Sequence, residues 1–218
     1  MDNAKDEERE GQRVYWGLML KGVLSVGKLI LTSLGDLKRL RTPKATDERY
    51  LRPPRGYALP PFRAGMRACR SRQRYLRPTR YCNPRAPEVI ALAHELGAYR
   101  LPALAFAEAT FQFVKERLEL EIGPIGGVVQ TLRRGTGTCF ELISVWIALC
   151  RAAGIPARFK IYATEMIQAW RESTVDADPL AKKWYDSLGY FLLEGEGEAF
   201  IDGRWLVAHV GPSAARQN

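Results

Sequence analysis

An α+β fold, with helices packed on one antiparallel sheet, follows from three patterns in this 218-residue chain. Apolar residues recur at helical spacing after Pro87, after Pro102 and again after Cys139. A strand signal begins behind Ile155-Pro156. A final pair of strands flanks Asp202-Gly203, a dipeptide typical of a two-residue hairpin turn. The composition, 46% hydrophobic and 26% charged, is that of a globular chain able to bury one core.

The elements justify themselves in order. Pro87-Glu88 starts a helix whose apolar set is Val89, Ile90, Leu92, Ala93 and Leu96, with Gly97 as its stop. A second helix runs from about Pro102 to Glu119. A Gly/Pro-rich loop, 123–127, and a helical turn at 128–132 lead to Gly135-Thr-Gly-Thr138. Thr138 is a candidate N-cap, so Cys139 falls in the first turn of the next helix. That helix carries Leu142, Ile143, Val145, Trp146 and Leu149, and Gly154 ends it. A strand over 157–162 follows, then a helical insertion over 164–190 that could cover a cleft.

Charge divides the chain. The net charge is +9, yet residues 38–85 hold 15 Lys/Arg against 2 Asp/Glu, so the remainder is net acidic. Residues 43–87 also hold 8 of the 13 prolines, which forbids long helices there. Residues 1–85 are therefore read as an amphipathic helix plus an extended basic arm, and 86–218 as the folded domain. The arm fits phosphate, an anionic membrane, an acidic partner, or a solvated wrap on the acidic body. It carries no nucleic-acid motif, so nucleic acid is not an expected partner. Within 14–34, Gly17, Lys21, Ser25 and Lys28 share one side of a helix, and two lysines argue against a membrane span. Docking on protein is the preferred reading, with self-association or a membrane surface as alternatives. The acidic start, Asp2 to Glu8, is unlike a signal peptide, and a cytoplasmic location is expected.

The cysteines, Cys69, Cys82, Cys139 and Cys150, form no C-x-x-C pair and have no His at metal-site spacing, so no metal or cofactor is expected. Cys69 and Cys82 could pair under oxidising conditions. Cys150 lies about 16 Å along the helix from Cys139 and reads as core. Cys139 occupies a place suited to a nucleophile. Free N–H groups and the positive helix end there favour thiolate and can stabilise an oxyanion.

The string Gly135-Thr-Gly-Thr-Cys139, a helix, then Leu149-Cys-Arg-Ala-Ala-Gly-Ile-Pro-Ala-Arg158 resembles the core of the transglutaminase-like superfamily. The tail Glu198-Ala-Phe-Ile-Asp-Gly-Arg-Trp205 is similar to that family's hairpin. The resemblance spans roughly 85–210. It implies a papain-like core and a Cys-His-Asp triad, with Cys139 as nucleophile. The position four residues before Glu198, where the family has His, holds Glu194, and the position four after Trp205, where it has Asp, holds His209. The two partners have exchanged residue types.

The Asp202-Gly203 turn pairs Ile201 with Arg204, which sets His209 opposite Glu196 and diagonal to Glu194 on one face. Carboxylates so placed would orient the imidazole. The bland alternative is a solvated edge strand with an exposed histidine. His94 reads as structural. Trp205, Trp146 and Glu196 are candidate substrate-binding residues, although both tryptophans also resemble core aromatics, and Arg158 is expected to order the strand or pair with an acid.

The expected function is cysteine-dependent acyl transfer or hydrolysis at an amide or thioester, through a Cys139 acyl-enzyme with His209 and Glu194 as partners. The substrate would be a small-molecule, peptide or carrier-bound acyl compound. Two alternatives stand beside it. One is altered chemistry on the same scaffold, a biosynthetic cyclisation, acyl transfer or elimination with Glu194 as a direct base. The other is a non-catalytic binding module.

Overall fold

A computed structural model describes residues 20–35, 58–121 and 125–209. They fall into two compact units, 20–35 with 163–192, and 58–162 with 193–209. Residues 14–19, and the arm up to 57, lie outside the described residues.

The larger unit holds the helices α1 (Pro87–Glu95), α2 (Ala103–Arg117), α3 (Val128–Arg134) and α4 (Cys139–Ala152). Its strands are β1 (Glu119–Leu120), β2 (Thr136–Gly137), β3 (Ala157–Glu165), β4 (Phe191–Ile201) and β5 (Arg204–Ala208), with β3 and β4 running on into the smaller unit. The expected α+β fold is present, with helices packed on a three-stranded sheet of order β3-β4-β5. The parallel pairing of β1 with β2 was not anticipated, because two-residue strands leave no periodic signal.

The centre of this unit is α4. Its sequence is apolar on nearly every side, and all residues from Glu141 to Ala152 are buried. α1, α2 and α3 pack on it, and the sheet covers the side they leave. The sheet approaches so closely because β4 presents glycines there. A Cβ at Gly197 would lie 2.6 Å from the Trp146 ring, and one at Gly195 would lie 2.7 Å from the Phe140 ring. The Glu-Gly-Glu-Gly-Glu run is therefore a two-sided device. Its glycines admit α4, and its glutamates stand on the other face.

The hairpin register is as expected. Ile201 pairs Arg204, and Gly197 pairs Ala208, around a turn in which Asp202 and Gly203 both have positive φ.

The described part of the basic segment, 58–86, has no helix or strand and is bonded to the body at several points. The Cys69 and Val128 amides donate to Ala152 and Tyr81 carbonyls, the Ala157 amide donates to Tyr75, and Arg151 donates to the Arg77 carbonyl. Arg151 also donates twice to the Ala157 carbonyl, so one buried guanidinium ties the end of α4, the start of β3 and this segment together. Cys82 is buried and its thiol is pushed up to about 11, chiefly by burial; Cys69 and Cys82 are both free.

In the smaller unit, residues 20–32 are helical, with Leu29 and Ser33 buried. Leu20, Val23, Leu24, Ile30, Leu31 and Leu34 are exposed. The insertion is helical as expected: α5 (Gln168–Trp170), a π-helical turn (Arg171–Val175) and α6 (Pro179–Leu188). Asp178 caps α6 by accepting from the Leu180 and Ala181 amides. No helix among the described residues is long and apolar enough to cross a membrane.

Because the Gly197 contact leaves no space for a methyl group, Gly197→Ala should destabilise the protein by about 1–3 kcal/mol. Urea unfolding measures this, and an unchanged midpoint would contradict the close approach.

Candidate active site around Cys139

The loop that delivers Cys139 is organised by a carboxylate two residues further on. Thr138 and Glu141 form a capping box, in which the Glu141 amide donates to Thr138 Oγ1 (3.4 Å) and the Thr138 amide donates to Glu141 Oε2 (3.0 Å). Glu141 Oε1 accepts from Arg134 Nη2 (2.8 Å), the Gly126 amide (2.9 Å) and Thr131 Oγ1 (3.4 Å). Arg134 and Glu141 are both buried, so this ion pair is shielded from solvent screening. The end of α3, the Gly126 loop and the start of α4 therefore converge on one side chain.

Cys139 is half-buried at the first residue of α4. Its thiol titrates above the ordinary value. Burial is the main cause, and the Glu194 carboxylate adds to it. Hydrogen bonds from the Phe140 and Cys139 amides pull the other way and are outweighed. The expectation that the helix terminus would favour thiolate is thus corrected. Desolvation and a nearby negative charge win over the amides, and the resting group is a thiol.

The partner positions lie on the face of the sheet turned away from α4. β3 and β4 run antiparallel there. The Phe200 amide donates to Pro156, Arg158 pairs with Glu198 at 2.6 Å, and Lys160 pairs with Glu196 at 3.5 Å. Continuing that step brings Tyr162 opposite Glu194. His209 follows β5 and stands across from Glu196, with Nδ1 at 3.9 Å from its carboxylate. The structure thus pairs His209 with Glu196, while the Glu194 charge reaches the Cys139 thiol through space. The titratable side chain acting on the thiol is Glu194.

The two candidate tryptophans occupy opposite faces. Trp205 stacks under Arg158 at 4.0 Å and meets Tyr75 edge-on at 5.1 Å. Trp146 is buried, donates to the Ala107 carbonyl at 3.0 Å, and forms one wall of a mostly apolar pocket of about 350 Å³ that also touches Phe111, Ile201, Leu206 and His209. His94 Nε2 donates to the Arg67 carbonyl (2.7 Å), far along the sequence from the cysteine helix. Among the described residues, no group of three or more His, Cys, Asp or Glu is placed to hold a metal ion.

Sequence reading missed three contributors. Glu141 stands three residues after Thr138, the capping-box signature, so it was there to be found. Arg134 gives no comparable signal. Tyr162 becomes visible only once the β3–β4 register is known.

Residues 90–186 match the transglutaminase-like superfamily, a segment that includes Cys139 and ends before β4. A solved structure described as a "Putative Cysteine Protease" from Cytophaga hutchinsonii is similar at 20% identity and a TM-score of 0.45. The similarity covers 62% of this chain, which spans 40% of that one. No curated protein matches significantly.

Removing the charge of Glu141 would break a buried, hydrogen-bonded ion pair with Arg134. Glu141→Gln should therefore cost about 3–5 kcal/mol of stability in denaturant unfolding. A loss within the range of a surface substitution would show that the buried pair does not organise this loop.

Proposed function

We propose, for a chain whose residues 90–186 belong to the transglutaminase-like superfamily, a cysteine-dependent acyl transfer or hydrolysis at an amide or thioester carbonyl, with Cys139 as nucleophile and Glu194 as its proton acceptor. The observation that carries this reading is the placement of a half-buried thiol at the start of α4, beside backbone amides and within electrostatic reach of Glu194.

The chemistry follows from the resting thiol. For an ordinary thiol and carboxylate, proton transfer is uphill by about 6 kcal/mol. A preformed thiolate is therefore not the attacking species. Proton transfer to Glu194 accompanies C–S bond formation as the carbonyl arrives. The amides of Cys139 and Phe140, which favour negative charge at this terminus, support the oxyanion. Collapse of the tetrahedral adduct expels an amine or a thiol, which takes the proton back from Glu194. Water or an amine then attacks the acyl-cysteine and gives its proton to Glu194, which returns it to the departing Cys139 sulfur. His209 acts one step removed, on Glu196. The substrate class remains that of an acyl compound, whether small molecule, peptide or carrier-bound.

Incubation with activated acyl esters and acyl thioesters, followed by peptide mass mapping, tests the proposal. The expected result is an acyl adduct on Cys139 and loss of turnover by at least about a hundredfold in Cys139→Ala, the scale of losing covalent catalysis. Turnover that survives Cys139→Ala would overturn it.

A further inference from the structure

The helix over residues 20–32 is used on one side only. Leu29 and Ser33 are buried, and Lys183 Nζ of α6 donates to the Thr32 carbonyl at 3.3 Å, which ties the end of this helix to the insertion. Docking on protein is therefore accounted for by that side. The opposite side is apolar and open. Leu20, Val23, Leu24, Ile30, Leu31 and Leu34 are exposed, Leu31 at 71%. Gly27 falls among them, and a Cβ built there would meet nothing within 4 Å. These positions recur at steps of three and four, so they form one continuous stripe. Single apolar residues on a surface are ordinary, but a contiguous stripe marks a contact.

Charge says what that contact is. Lys21 and Lys28 are exposed and stand two turns apart along one border of the stripe. A lysine there can lay its stem along an apolar layer and carry its ammonium up to a phosphate. In the sequence, Lys38, Arg39, Arg41 and Lys44 follow Leu34 against a single acid, Asp36. An apolar helix face followed by a basic run is the pairing that holds a chain on an acidic lipid surface. No helix among the described residues is long and apolar enough to cross a membrane, so this one would lie on the surface.

A second copy of the chain is the rival occupant. The series 20, 24, 27, 31, 34 has the spacing of a helix-pairing seam. It runs for only about two heptads, short of the three or four that sustain a coiled coil, and has glycine at its centre. It also leaves Val23 and Ile30 to one side. Two chains that each carry +9 repel, whereas an anionic surface attracts them.

We propose that helix 20–32 is a peripheral docking site for an acidic lipid surface, with its Leu20–Leu34 stripe in the headgroup–acyl boundary and Lys21 and Lys28 at the phosphates. The proposal stands apart from the acyl-transfer reading and concerns where the protein sits, not what Cys139 does.

Flotation of the full chain with lipid vesicles tests it. One set is pure phosphatidylcholine, and the other is equal parts phosphatidylcholine and phosphatidylglycerol. Wild type should float with the acidic vesicles, and less so as salt is raised. Leu24→Glu with Leu31→Glu should weaken that binding at least about tenfold. Both side chains are exposed, so the urea-unfolding midpoint should stay that of wild type. Lys21→Gln with Lys28→Gln, which leaves the stripe intact, should weaken binding about fivefold or more. The proposal is overturned if wild type does not float with the acidic vesicles, or if the double Glu variant, folded, floats as wild type does. A wild type that ignores vesicles but sediments as a dimer, and becomes monomeric in the double Glu variant, would give the stripe to a second copy instead.

Discussion

The Glu141 carboxylate is the point on which the site depends. It neutralises buried Arg134, caps the start of α4 through Thr138, and holds the amide of Gly126. A buried ion pair of this kind is not chosen for stability alone, since an apolar substitute often does as well. Its value here is geometric. Three chain segments that share no regular hydrogen-bond ladder are brought to one carboxylate, and Cys139 lies two residues away. Cys139 is thus held at a helix terminus whose orphan amides are only partly satisfied.

On the other side of α4 the controlling feature is steric. Gly195 and Gly197 let the helix settle against β4, which brings the level of Glu194 to the level of the first helical turn. The alternation that places glycines inward also places Glu194, Glu196 and Glu198 on one outer row. Glu196 and Glu198 pair with Lys160 and Arg158 of the neighbouring strand. The row is therefore a fixed array of charge and not a frayed solvated edge. Its end nearest the cysteine carries a carboxylate where the family pattern calls for imidazole, and its charge adds to the burial that raises the thiol.

Much of this was legible in the sequence. The helix starts at Pro87 and Cys139 follow from proline and threonine at helix entry, and the Asp202-Gly203 turn fixed the hairpin register and hence the His209–Glu196 pairing. The exchange of His and acid positions could be counted directly. What sequence could not give were quantities set by packing. Whether amides or desolvation dominate at Cys139 depends on how deeply the thiol is buried. The use of the Glu-Gly-Glu-Gly-Glu glycines depends on which face meets α4. The place of Tyr162 opposite Glu194 needs a register between strands separated by the helical insertion, and no local turn specifies it.

The most direct measurement is the pH profile of Cys139 alkylation in wild type and in His209→Ala, read by peptide mass mapping. A site in which Glu194, and not His209, stands at the thiol predicts a wild-type midpoint above that of a free thiol, about 8.5, and a His209→Ala profile within about twofold of it. Rapid alkylation well below that pH, abolished by His209→Ala, would show instead an imidazole-activated thiolate and contradict the carboxylate-based site.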